Sequence, residues 1–254
     1  MKAFIYRNQL EKYNFTKDIR NRLNCFFLHK KSMIDFFEEM QRNYKTNLKM
    51  EEILKINRGN LKIQDLDNSE ERALPSDKKL HESGWWKMMF ARYGVAQKFS
   101  KGKVVLDSCC GLGWGSYLVS VKAKRVFSFD KDTEAIKFAK RTWVSKNLNY
   151  SVGDALEAGF KDNSFDIVLA METLEHFDIY NGNRYIEEIN RVLKKGGHFI
   201  ASTYFAPDRE SAVKVCKTNK FHLHIYTKKE IEETLYKYFR KVYFLEDLFF
   251  ISRK

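Results

Sequence analysis

Proline is nearly missing from this chain, with two residues in 254, and nothing in it has the proline-rich composition of an extended linker. Cysteine is sparse too. Cys25, Cys109, Cys110 and Cys216 form no CxxC pair, so the spacing of a zinc ribbon or of a small disulfide framework is excluded. Cys109 and Cys110 are adjacent in a tight loop and are poor partners for each other. All four are read as free thiols, and no metal is expected. Apolar runs stay well below the ~20 residues that a membrane-crossing helix needs. The opening MKAFIYRNQLEKYNF is too broken by charge for a signal peptide. A protein without a transmembrane segment, in the cytoplasm, is the expectation. Internal repeats and low-complexity tracts are lacking as well.

What is present is material for a packed core: 44% of residues are hydrophobic and 15% aromatic, which argues against disorder. The formal net charge is +13, yet the excess is spread, +4 over residues 1–75 and +9 over the rest. Lysine pairs such as Lys194-Lys195 and Lys228-Lys229 fall where helices start or end. A nucleic-acid partner is possible on this charge but not favoured.

Between Phe26 and Tyr44 the apolar residues Phe26, Met33, Phe37, Met40 and Tyr44 recur at helical steps, which predicts an amphipathic helix whose apolar face needs a partner. That face is a candidate contact between copies of the chain. A second helical stretch, MEEILKI, covers 50–56, and a polar segment with Gly59 and Pro75 follows. The boundary is placed there: a mostly helical extension over 1–75 and a main domain over 76–254.

After WWKMMFARYGVAQKF (85–99), read as a helix, strands and helices alternate: KVVLD, WGSYLVSVK, RVFSFD, TEAIKFAKRTWVS, NYSVGD, FDIVLAM, NRYIEEINRVL, GHFIASTY. Such alternation implies a parallel sheet wrapped by helices. The helix over 184–193 is expected to stop at Gly196-Gly197. Thr227 and Glu230 predict a capping box, and KVYFLED with LFFIS predicts a closing antiparallel pair.

In an open parallel sheet the ligand lies beyond the carboxyl ends of the strands. Those ends are Asp107, Asp130, Asp154 and Met171-Glu172. A carboxylate after the second strand accepts ribose hydroxyls, which suits Asp130 with either a nicotinamide or an adenosyl cofactor. Asp107 separates the two. A pyrophosphate at the first loop would be repelled by it, whereas an ammonium and a sulfonium would be attracted. The loop CCGLGWG, with Gly111, Gly113 and Gly115, also lacks the GxGxxG spacing of dinucleotide folds.

This constellation resembles the class I S-adenosylmethionine-dependent methyltransferases over roughly residues 71–254. The resemblance implies a Rossmann-like α/β fold: a mostly parallel seven-stranded sheet with an antiparallel final strand and helices on both faces. It implies that S-adenosyl-L-methionine is the cofactor, with Asp107, Cys109, Gly111 and Gly113 at the methionine tail and Asp130 on the ribose. Asp154 would meet the adenine amino group beside the Ala155 backbone, and Met171, in FDIVLAMETLEHF, would line the floor under the sulfonium. ERALP (71–75), RYGVA (92–96) and NKFHLHIYTKKE (219–230) are similar to a branch of the type 11 methyltransferase group that acts on glycans, lipids and other small molecules. That match implies that Arg92 and Tyr93 hold the methionine carboxylate and that His222 and Tyr226 line the acceptor site. Cys109, Leu112, Tyr204 and Ile225 depart from the pattern, which implies an acceptor different from that of relatives.

The implied function is methyl transfer to an oxygen or nitrogen of a small-molecule, lipid or glycan acceptor. Alignment supplies most of the rate in such an in-line displacement. For a hydroxyl acceptor His222 or His176 is the candidate base. An RNA or DNA methyltransferase is the alternative, although AMETLEHF lacks the Asn/Asp-Pro-Pro-aromatic signature used on exocyclic amino groups. A non-catalytic cofactor-binding module and a nicotinamide oxidoreductase complete the set. The bland readings are that Cys109 and Cys110 pack a loop, that His198 is structural, and that Trp85 and Trp86 pack rather than cover a ligand.

Overall fold

The computed structural model describes residues 74, 85–245 and 249–254. The helices read over 26–44 and 50–56, the boundary near 75 and the contact between copies all lie outside the described residues. So does the 71–75 motif apart from Leu74, which is fully buried in the core.

The elements run α1 (Trp85–Phe99), β1 (Val104–Ser108), α2 (Trp114–Ser120), β2 (Arg125–Asp130), α3 (Thr133–Thr142), β3 (Leu148–Val152) and β4 (Phe165–Met171). A 3-10 turn (Leu174–His176) leads into α4 (Ile179–Val192), β5 (Leu193–Ser202), the short β6 (Phe205–Ala206), α5 (Arg209–Thr218) and β7 (Tyr226–Thr227). The chain then forms α6 (Lys228–Tyr236), β8 (Lys241–Leu245) and β9 (Phe249–Arg253).

Seven strands make one sheet in the order β3-β2-β1-β4-β5-β9-β8, and β6 and β7 pair separately. β1 through β5 are parallel neighbours, while β9 runs antiparallel between β5 and β8. This is the sheet expected from the sequence.

Alternation along the strands explains the two layers. In β4, Ile167, Leu169 and Met171 face a core shared with α1, α2 and α3, while Val168 and Ala170 face a second core shared with α4 and α6. Burial on both faces is what makes FDIVLAM a continuous apolar run rather than an alternating one. Helix starts follow local chemistry. Asp132 accepts from the backbone of Glu134 and Ala135 ahead of α3, Asp178 accepts from Asn181 ahead of α4, and Thr227 with Glu230 forms the capping box of α6.

Two boundaries differ from expectation. Helix α4 begins five residues before Arg184, because Asp178 supplies an N-cap there. Gly196-Gly197 is not a turn between helix and strand: β5 starts at Leu193 and runs through both glycines, with a register irregularity against β4 between Phe165 and Ile167. Gly196 takes φ +76°, so the strand kinks where only glycine is comfortable.

The start of α2 is fitted to α1. A Cβ on Gly115 would lie 2.1 Å from the Tyr93 ring, which is itself wedged edge-on against Trp114 with centroids 4.9 Å apart. Gly115→Ala is therefore expected to destabilise the fold by about 2 kcal/mol, within the range for overpacking. Gly159→Ala meets nothing within 4 Å and bears only the strain of φ +70°, about 1 kcal/mol. Urea unfolding of the two variants checks the order; equal losses would mean that Tyr93 yields freely.

Candidate active site

β1 lies between β2 and β4, where successive connections leave in opposite directions, and this is where an open α/β sheet offers a crevice. The loop from β1 to α2 is built for a sharp reversal. Cys109, Gly111 and Gly113 all have positive φ, at 58°, 54° and 79°. Gly111 N–H donates to Asp130 Oδ2 at 2.9 Å, and Asp132 N–H donates to Asp130 Oδ1 at 3.0 Å. Both carboxylate oxygens of Asp130 are thus held as acceptors at the end of β2.

Two cavities open here. One, of about 630 Å³, is lined by Asp130, Lys131, Gly153, Asp154, Ala155 and Phe177 among others. The other, of about 390 Å³, is lined by Tyr93, Gly111, Met171, Glu172, Glu175 and His222 among others. Cys109 and His176 line both, so the two are lobes of one cleft.

The larger lobe has the features of an adenosine site. Asp154 is exposed and spends Oδ1 on the backbone of Leu156 at 2.8 Å, which leaves Oδ2 for an amino group. Asp130 lies across from it with ribose-binding capacity, and Val152, Ala155, Phe177, Phe221 and Leu223 offer apolar walls.

The smaller lobe gathers the buried acids and both histidines. Beneath its wall Asp107 is fully buried, accepts from Ser116 Oγ at 2.6 Å, and has Tyr93 Oη 3.5 Å away. Its Oδ1 has no hydrogen-bond partner among the described residues. Burial pushes its pKa up to about 7, partly offset by the Ser116 and Tyr93 hydroxyls. A buried carboxylate short of donors fits a cationic ligand and does not fit a pyrophosphate.

Glu175 is also buried, at 2% exposure, and Thr203 Oγ1 donates to its Oε2 at 2.9 Å. Desolvation and the nearby Glu172 push its pKa up to about 8. His176 has Nδ1 3.1 Å from the Phe221 carbonyl, an acceptor, so that nitrogen carries a proton and donates it there. His222 lies edge-on to His176, with ring centroids 5.4 Å apart. The segment 219–224 is tied beside them, with Leu223 N–H and His224 N–H both donating to the Glu175 carbonyl at 2.8 and 3.3 Å.

The structure brings together Tyr93, Cys109, Gly111, Asp130, Asp154, Ala155, Met171, His176 and His222 along this cleft. Four expected residues sit elsewhere. Arg92 lines neither lobe; its guanidinium is 2.5 Å from Glu172 Oε1 and 3.4 Å from Ser202 Oγ, because two acids at the end of β4 need a counter-charge more than the cavity does. Asp107 acts from behind the wall. Gly113 serves packing: a Cβ there would lie 2.7 Å from Ala139 and 2.8 Å from Tyr150, and its carbonyl accepts from Tyr150 Oη at 2.8 Å.

Tyr226 is fully buried in β7, lines neither lobe, and its Oη is unpartnered above Gly182, where a Cβ would be 2.3 Å away. The match that placed Tyr226 at the acceptor thus finds a core residue. Tyr226→Phe is expected to leave activity unchanged and to alter stability by less than about 1 kcal/mol, since it removes a buried hydroxyl that bonds nothing. A tenfold loss of turnover in that variant would restore Tyr226 to the site.

Sequence reading missed Glu172 as a site residue, along with Thr173, Asn219 and Lys220. Glu172 carried a signal, since it begins the spacing Glu172-x-x-Glu175-His176 at a strand end and has φ +53°, a conformation rare outside glycine.

Residues 106–201 match the family model described as a methyltransferase domain. The chain is 28% identical over 173 residues to a probable S-adenosylmethionine-dependent methyltransferase of Mycolicibacterium smegmatis, covering 65% of this chain and 62% of the relative. It is 32% identical over 128 residues to a fatty-acid O-methyltransferase of the same organism, covering 47% and 45%. The chain thus spans less than two thirds of these curated relatives. A putative methyltransferase from Bacillus halodurans has the same fold, with TM-score 0.54 and 23% identity over 60% of this chain and 70% of its own. So does an N-methyltransferase from Haemonchus contortus solved with phosphomonomethylethanolamine and S-adenosylhomocysteine, with TM-score 0.52 and 23% identity over 60% and 37%. Sheet order, first loop and family match thus agree over residues 106–201, the part of the chain that matches a methyltransferase domain.

Proposed function

We propose that the protein transfers the methyl group of S-adenosylmethionine to an oxygen or nitrogen of a small-molecule acceptor, a class that includes lipids and glycans. The observation that carries this reading is the cleft itself: a lobe with nucleoside chemistry opens, at Cys109 and His176, into a lobe lined by titratable groups. When bound, S-adenosylmethionine supplies an electrophilic methyl on sulfur, and the bond pair leaves with the thioether.

The residues of the chain do the positioning. Asp130 and Asp154 fix the nucleoside, and Asp107 sets a negative potential behind the methionine tail. Met171 closes the floor, and alignment of this kind is worth about 7 to 11 kcal/mol in well-oriented systems. For a hydroxyl acceptor, His176 Nε2 stands at the junction of the lobes with its lone pair set by the Phe221 carbonyl. Met89, Leu112, Trp114, Tyr204 and Val215 make the acceptor lobe apolar on several sides, which supports a lipid-like or aromatic acceptor. The fatty-acid O-methyltransferase among the relatives is in keeping with that class.

The test is to incubate the purified protein with methyl-labelled S-adenosylmethionine and an extract of the source cells. The expected result is label that survives nuclease and partitions with lipid, glycan or small solutes. Label released by nuclease would overturn the acceptor class.

A further inference from the structure

We propose that Glu175, His176 and His222 form a binding site for a divalent first-row transition ion in the acceptor lobe. One carboxylate oxygen and one ring nitrogen from each histidine lie within 4.8 Å of one another, and all three side chains line the same cavity. Ligand atoms around one ion with bonds of about 2.1 Å stand roughly 3 Å apart, so loading draws these side chains together by on the order of 1 Å.

Three features suit the site to a cation. First, Glu172 and Glu175 both line this lobe, and the Arg92 guanidinium that acts on both is bonded to Glu172, so two carboxylates share it. A buried carboxylate is costly unless charge or hydrogen bonds compensate it, and a divalent ion supplies the missing charge. Second, His176 donates from Nδ1 to a backbone carbonyl, the outer contact that fixes a metal-binding imidazole with its other nitrogen forward. Third, the ring of His222 is set by the Asn219 side-chain amide at 3.1 Å, and Asn219 is itself held by the Phe221 N–H at 3.0 Å. The donor set is oriented before any ion arrives.

Two imidazoles and one carboxylate suit zinc, iron, manganese or cobalt in the divalent state better than magnesium or calcium, which prefer oxygen throughout. Three protein donors leave at least one coordination position open toward the cavity. The proposed role rests on the methyl-transfer reading, although the binding does not. An acceptor hydroxyl at the open position becomes more acidic and releases its proton to water. Its oxygen then takes the methyl as the carbon–sulfur bond breaks and the thioether leaves with the bond pair. Ligation and proton abstraction by one imidazole nitrogen exclude each other, so on this account the histidines hold the ion instead of acting as bases. The absence of cysteine spacing, from which no metal was expected, is no guide to a site assembled from the 3-10 turn after β4 and the segment following α5.

The test uses the full chain, untagged and freed of metal with a chelator, titrated with Co²⁺ and Zn²⁺ by absorption and calorimetry, and separately with S-adenosylhomocysteine. One equivalent of Co²⁺ should bind with ligand-field bands. Glu175→Gln and His222→Ala should each weaken Co²⁺ at least about tenfold while melting and S-adenosylhomocysteine binding show that the variants fold. Absence of stoichiometric metal binding, or binding that both variants leave intact, overturns the site. S-adenosylhomocysteine binding without metal binding would refute this inference alone; metal binding without S-adenosylhomocysteine binding would refute the methyl-transfer reading and leave the ion site standing.

Discussion

Asp107→Asn is expected to yield a protein that is more stable at pH 8 and binds S-adenosylmethionine at least about tenfold more weakly. The carboxyl is fully buried and its pKa is raised from 3.8 to about 7, chiefly by burial. Below the unfolded value both states hold the proton and the group is neutral in effect. As pH rises from about 4 to 7 the folded state keeps a proton that the unfolded chain has released, so stability falls; above 7 the loss is complete. Three units correspond to on the order of 4 kcal/mol. Asparagine has no such slope and still offers an oxygen to Ser116. The gap between melting curves at pH 5 and pH 8 should therefore be smaller for the variant than for the parent, the remainder coming from Glu175, whose pKa is raised as well. A cationic ligand repays the buried charge only when the charge is there, so cofactor protection of the parent should increase with pH and that of the variant should not. Parallel pH dependence in the two proteins would show that Asp107 is not the group that titrates.

His176→Ala is expected to lower turnover of a hydroxyl acceptor about a hundredfold or more, the usual range for loss of a proton-handling group, with S-adenosylhomocysteine binding less than tenfold weaker. The same substitution also removes the hydrogen bond to the Phe221 carbonyl, so a loss of activity alone would not separate chemistry from positioning. His176→Gln separates them, because its amide can donate to that carbonyl but offers no basic nitrogen. If the tie to the segment 219–224 is what matters, Gln restores most of the rate. If the Nε2 nitrogen matters, as base or as ligand, Gln stays near the level of Ala. Full activity in His176→Ala would remove the residue from the chemistry.

The ends of β1 and β2 were legible because each is an apolar run that stops at an acid, and a buried parallel strand leaves few other readings of VVLD or RVFSFD. Asp130 follows from that pattern and Asp154 from the alternation of strands and helices, since topology places the ends of β2 and β3 on the same side of the sheet. Which way a side chain turns was not legible. Arg92 and Tyr93 are neighbours on one helix, yet Tyr93 reaches the lobe and Arg92 reaches Glu172, a pairing 80 residues away that no local pattern encodes. Tyr226 was placed by similarity of NKFHLHIYTKKE to a family segment, but the two-residue pairing of β6 with β7 turns it into the core. The meeting of Glu175-His176 with His222 is likewise a product of the hydrogen bonds from residues 223 and 224 to the Glu175 carbonyl.

Those bonds have a thermodynamic consequence. Residues 219–223 supply walls to both lobes, Asn219 and His222 on one side and Lys220, Phe221 and Leu223 on the other. A ligand that fixes this short segment from either side spares the second ligand the ordering entropy. The two affinities are then linked by one coupling free energy, equal in both directions. Cofactor and acceptor become reporters of each other: a change to the acceptor that tightens its own grip should appear, by the same factor, in the dissociation constant of the nucleoside.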